Sequence, residues 1–221
     1  MTKKKKIILG ISIGVSSALV LAVLIPFMIL GIRTASIKKS YTYLKDDPVY
    51  RGKQEVTGIE LVKQEISCGY ATIEMMSTFY GSKISEKELS NKNKGSITTS
   101  SSDGFLKELR KSIPAEKFVK HSYLSDDVLL KEMCIALSGN RPVALEWAAK
   151  YENEWTLHFS LISAIDIKND NITIYNPYGY IENITISEFI GRSSFEAYKN
   201  IPLFLNFGFA FGAFEKNTIF Y

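Results

Sequence analysis

Ser67–Tyr80 reads SCGYATIEMMSTFY, a pattern that predicts a helix opening on a cysteine. Ala71, Met75 and Phe79 recur at i, i+4 and i+8, so they share one face. Gly81 follows as a stop. Cys68 therefore falls at a helix N-terminus, where free N–H groups and the positive end of the backbone dipole favour a thiolate. Gly69 is expected to let a substrate backbone come close, and the Cys68 N–H is a candidate oxyanion donor. A buried, inert thiol is the bland alternative.

Working outward, Ser85 is placed to cap a short helix over 85–89, with Glu86 and Glu88 in its first turn. A polar loop follows over 91–102. Ser102 or Asp103 is expected to cap a helix running to about Lys111. Ser125 is expected to cap another over 126–138, with Val128, Leu129, Met133 and Leu137 inward and Gly139-Asn140 as its stop. The period then changes. Residues 142–147 and 157–167 read as strands, Lys168-Asn169-Asp170-Asn171 as a turn, and 172–175 as the return strand. Residues 186–190 suggest a short helix. The charge-free run Pro202–Phe214 is expected to form a buried closing pair of strands. Helices first and an antiparallel sheet after them define an α+β class.

That hairpin carries the remaining chemistry. His158 lies in the apolar strand WTLHFSLISAI, where it is either a satisfied core histidine or a working one. Asn176 ends the return strand and can be brought beside it. An amide oxygen accepting the imidazole N–H fixes the tautomer and leaves the other ring nitrogen for a thiol. Cysteine on a helix, histidine and asparagine on a sheet, in that chain order, is the papain arrangement. His121 in VKHSYLSDD reads as a surface or capping residue, and Asp166 as a turn acid.

Three stretches resemble the C39 peptidase family and its C39-like relatives, the bacteriocin-processing, double-glycine cysteine peptidases. They are KQEISCGYATIEMMSTFYGSKISEKEL, LLKEMCIALSGNRPVALEW and LHFSLISAIDIKNDNITIYNPYG, within a similarity covering about Ile59 to Pro202. The resemblance implies a papain-like fold with Cys68 as nucleophile, His158 as general base, Asn176 as orienting group and Gln64 as an oxyanion-hole amide. Gln64 lies closer to the cysteine than the family's glutamine usually does, and the family's third residue is more often Asp. A peptide or protein substrate is implied, a leader ending in Gly-Gly being one candidate. A C39-like fold that grips peptides without cutting them is the alternative. A membrane-tethered interaction protein, with the three residues a coincidence, is a third reading.

The N-terminus is different in kind. Residues 7–32 carry no charge, longer than the about 20 apolar residues a spanning helix needs. The run exceeds the apolar stretch of a cleaved signal peptide and lacks a small-x-small end, so an uncleaved single-pass anchor is expected. The chain divides into a basic flank (1–6), a transmembrane helix (7–32), a linker (33–55) and a peptidase-like domain (56–221). Four lysines (3–6) precede the run; Arg33, Lys38, Lys39 and then Asp46-Asp47 follow it. The balance places the N-terminus in the cytoplasm and the catalytic domain on the outer side of the membrane.

The 221 residues are 46% hydrophobic, enough for one domain with a real core. The net charge of +4 is largely that lysine cluster, so the expected partners are lipid and a peptide rather than nucleic acid. Two cysteines and two histidines show no metal-site spacing, and no cofactor is expected. A Cys68–Cys134 disulfide stays open for an exported domain. The Lys/Ile/Asn-rich composition looks bacterial, and the oligomeric state is not legible.

Overall fold

The computed structural model describes residues 3–221, with side chains from Val20 onward; Met1 and Thr2 of the basic flank lie outside the described residues. Helix α1 (Lys3–Ile37) carries Pro26 within it. Among the described residues it supplies one helix long and apolar enough to cross a membrane, and that helix is hardly buried against the rest of the chain. Residues 33–55, expected as a linker, have folded parts. Ile37 and Leu44 are buried, and β1 (Lys53–Glu55) pairs with the central hairpin.

Four helices follow: α2 (Cys68–Phe79), α3 (Glu86–Lys92), α4 (Ser102–Ser112) and α5 (Asp126–Ser138). Ser67 caps α2 by accepting from the Tyr70 N–H, and Ser85 and Glu88 close a reciprocal capping box on α3. The cap of α4 is Ser101, one residue before the expected position, because its hydroxyl reaches the Gly104 N–H. Ser125 begins α5 but bonds the Asp127 carboxylate rather than a backbone N–H. The buried face of α5 is Leu129, Leu130, Met133 and Leu137, leaving Val128 only partly covered.

The sheet is antiparallel and has seven strands: β1, β2 (Lys120–His121), β3 (Val143–Tyr151), β4 (Glu154–Asp166), β5 (Asn171–Asn176), β6 (Tyr180–Ile184) and β7 (Thr218–Phe220). The order is β2-β7-β3-β4-β5-β6, with β1 also on β4. The expected hairpin is present, and Asp166 holds its turn by accepting from the Asn169 N–H at 3.0 Å. His121, on β2, stacks on Tyr221. One large apolar cluster joins α2–α5 to the sheet, with Phe105 of α4 stacked on Phe159 of β4 at 4.3 Å.

Strand β4 is irregular in two ways. Residues 154–162 pair with β3, whereas β5 pairs only from Leu161 onward. Residues 154–160 therefore have no strand on the β5 side. Within β4, Ile162 opposes Ile174 and Ala164 opposes Thr173, so Ser163 is an extra residue in a bulge.

The run Pro202–Phe214 is not a strand pair. Helix α6 (Ile186–Ser193) leads to α7 (Leu203–Ala210), and a turn at Gly212, φ +76°, ends the segment. The reading as strands fails because every position but Asn206 is apolar or small, which hides the helical period; the closing strand is the later β7. Leu205 and Phe209 of α7 pack with Ala148, Phe195 and Tyr198 in a second, smaller cluster.

Candidate active site

The free edge of β4 is where the sequence-predicted residues gather. His158 and Ile162 share one face of β4, and Ile174 and Asn176 share the same face of β5, which ends there. The pairing brings His158 Nε2 to 2.9 Å from Asn176 Oδ1, with both residues buried.

Asn176 is oriented by its other contacts. Its Oδ1 also accepts from the Tyr178 N–H at 2.9 Å, and its Nδ2 donates to Glu182 Oε1 at 2.5 Å. A backbone donor on one side and an accepting carboxylate on the other fix which amide atom is oxygen. His158 Nε2 must then be the donor, and in the neutral ring Nδ1 is the free acceptor. Glu182 is held by Arg192 at 2.7 Å, whose guanidinium lies 3.6 Å from the Trp147 ring centroid and whose Nε donates to the Ala148 carbonyl. The file His158–Asn176–Glu182–Arg192 thus runs from β4 to α6.

Cys68 begins α2, partly buried, and is a free thiol, as is Cys134 on α5. The backbone of Phe159, the residue after His158, and the Gly69 and Cys68 backbone lie near its sulfur and act to lower the thiol's pKa. Burial outweighs these contacts and pushes the thiol up to about 11, with the nearby Glu146 carboxyl adding to the rise. Burial likewise drives His158 down to about 3 against the Asn176 hydrogen bond, and the Arg192 charge lowers it further. At neutral pH the resting groups are a thiol and a neutral imidazole. The helix N-terminus was expected to favour the thiolate; desolvation is the larger effect.

Gly69 also has a packing role. A Cβ there would lie 2.5 Å from Thr99 Cβ, so the chain's own loop keeps the residue small. The loop before Cys68 is held by Glu86, whose carboxylate accepts from the Glu65 N–H at 2.7 Å and the Ser67 N–H at 2.8 Å.

Gln64 sits on the histidine side of the site. Its N–H donates to the Pro177 carbonyl at 2.7 Å, and its buried Oε1 has no hydrogen-bond partner among the described residues. Lys63, Gln64, Tyr151, Pro177 and Tyr178 line a cavity of about 280 Å³. Tyr178 closes one wall. Its ring stacks on His158 at 4.1 Å, and its hydroxyl meets Thr156 Oγ1 at 2.8 Å. Tyr178, Glu182 and Arg192 were not singled out from the sequence, and Glu86 was read only as a first-turn acid of its helix. Only Tyr178 carried a local cue, the Asn-Pro-Tyr-Gly turn beside Asn176.

Residues 54–202 match the Peptidase_C39 like family, and the chain belongs to that family of C39-like peptidase domains. The match takes in both the helix that begins at Cys68 and the His158–Asn176 hairpin. No curated protein matches the chain.

Proposed function

We propose that the chain is a membrane-anchored cysteine peptidase with a papain-like fold. The His158–Asn176 pair on the free edge of β4, with the Cys68 sulfur against the adjoining backbone, carries the reading. In this reading Cys68 Sγ attacks the scissile carbonyl carbon as its proton passes to His158 Nδ1. Asn176 keeps the ring in the required tautomer. The Cys68 N–H receives the developing oxyanion, with the Gln64 amide as second donor. His158 then returns the proton to the leaving amine, and water attacks the thioester to free the acid and restore the thiol. Because thiol and imidazole are neutral at rest, substrate binding must drive the proton transfer.

The substrate is a peptide or protein. Small residues before the cut, as in a Gly-Gly leader, suit a site walled by Tyr178. Helix α1 supports a single-pass anchor, and the lysines before the span favour a domain on the outer side. The neutral thiol also favours a second reading, a peptide-binding relative that does not cut. Incubating wild type and Cys68→Ala with a peptide pool, with products read by mass spectrometry, separates the two. Cleavage by wild type alone supports the peptidase. Equal peptide retention by both proteins, with no cleavage, supports the binding module.

A further inference from the structure

Helix α7 is apolar on the side that faces away from the protein. At 100° per residue, Leu203, Phe204, Phe207 and Phe211 fall within an arc of about 100°. Leu205 and Phe209 point the other way, into the second cluster. The outward residues are bare: Leu203 is 71% exposed, Phe204 69% and Phe211 58%. Residues 201–214 contain no charged side chain to break the patch.

The patch continues onto α1. Phe207 meets Phe27 edge to face at 5.3 Å, and Leu30 of α1 packs against the same cluster that buries α7. On α1 itself, Leu24, Ile25, Met28, Ile29 and Ile32 are exposed. Charges begin at its C-terminal end. Arg33 lies over the Tyr123 ring, and Lys38 pairs with Glu196 at 2.5 Å. Lys199, exposed, stands just before α7.

The lengths agree with one position. The uncharged run 7–32 makes about 39 Å of helix, about 9 Å more than a hydrocarbon core of about 30 Å requires. Phe27 lies six residues before Arg33, so its contact with α7 sits about 9 Å below the first charge. That matches the depth, about 5–10 Å, at which an interfacial helix buries its apolar face.

We infer that α7 is an interfacial helix that lays Leu203, Phe204, Phe207 and Phe211 into the lipid bilayer beside α1, giving the domain a second membrane contact. The inference rests on α1 being a membrane anchor. It goes further, because one span leaves the domain free to tilt on its tether and a span plus an interfacial helix fixes its orientation.

The test uses the full chain in phosphatidylcholine vesicles whose acyl chains carry bromine. Tryptophan is introduced singly, as Phe204→Trp or Leu24→Trp, and quenching beyond that of the parent is measured. Strong quenching at both positions, with shallow bromines acting more on residue 204, is the expected result. Quenching at 24 but not at 204 overturns the inference and leaves the anchor standing. Quenching at neither position overturns both. Emission at 204 that depends on protein concentration and not on bromine assigns the patch to a second copy of the chain, and also overturns the inference.

Discussion

Alkylation of Cys68 by iodoacetamide should be slow at pH 7 and should quicken about tenfold per pH unit up to about pH 10, because the thiolate is the reacting form. Burial places the thiol at about 11, against 9.0 for an unperturbed one. At pH 7 the thiolate fraction is then about 10⁻⁴, compared with about 10⁻² for the free thiol. The more basic thiolate is intrinsically more nucleophilic, by about sixfold to tenfold over that interval. The net rate should be about tenfold below that of a free cysteine at pH 7. His158 sits at about 3, so its titration should leave no inflection between pH 5 and pH 8. The assay follows intact mass against time in a Cys134→Ala background, which removes the second thiol. A rate that is flat from pH 5 to 8, and at or above that of a free thiol, would mean a resting thiolate–imidazolium pair. It would refute the ranking of desolvation over the helix N-terminus.

Three other outcomes are expected from contacts around the site. Asn176→Asp would set a second carboxylate against Glu182, which now accepts at 2.5 Å, and should cost about 1–3 kcal/mol in thermal unfolding as well as activity. Adding Glu182→Gln should restore both; no recovery would show that Glu182 does not orient residue 176. Glu146 is buried against Ser102 and its carboxyl is pushed up to about 8 from 4.5, chiefly by burial. A carboxyl raised on folding contributes its full stability below pH 4.5 and loses it as the pH climbs through 8. The unfolding free energy should therefore fall over that range by about 1.4 kcal/mol per pH unit, and the melting temperature with it. Glu146→Gln should flatten the slope, and an unchanged slope would assign it to other groups. Gly69→Ala would drive a Cβ to 2.5 Å from Thr99 Cβ and should destabilise by about 1–3 kcal/mol. Thr99→Gly in the same chain should recover most of the loss, and a loss that persists would place the strain elsewhere.

The sequence made the site's scaffold legible where residue type and period agree. The i, i+4 pattern ending at Gly81 marked α2, and a turn of Lys, Asn and Asp between two Ile-rich runs marked the hairpin that joins His158 to Asn176. It was silent where the decisive quantity is burial or a distant contact. The protonation of Cys68 depends on how deeply the sulfur is covered, which a helix N-terminus does not reveal. Glu182 and Arg192 looked like ordinary charges, and only the folded sheet brings them to the amide of Asn176. In α7 the sequence LFLNFGFA offers no polar residue on the outward stripe, so helix and strand read alike until the exposed phenylalanines are seen.

The bulge at Ser163 has a bearing on how this chain can change by insertion and deletion. The two halves of β4 run out of phase by one residue: Ile162 and Ala164, two apart, face opposite sides of the sheet. Removing Ser163 would put the halves back in step. Ile162 would still oppose Ile174 and Ala164 would still oppose Thr173, so every residue from Glu154 to Ile162 would keep its side and His158 would still face Asn176. The dyad is thus insulated from the loss of one residue at this point, because the bulge already holds that residue outside the pairing. A single-codon deletion there should spare the His158–Asn176 pair, whereas a second deletion between His158 and the bulge would turn the histidine to the other side of the sheet.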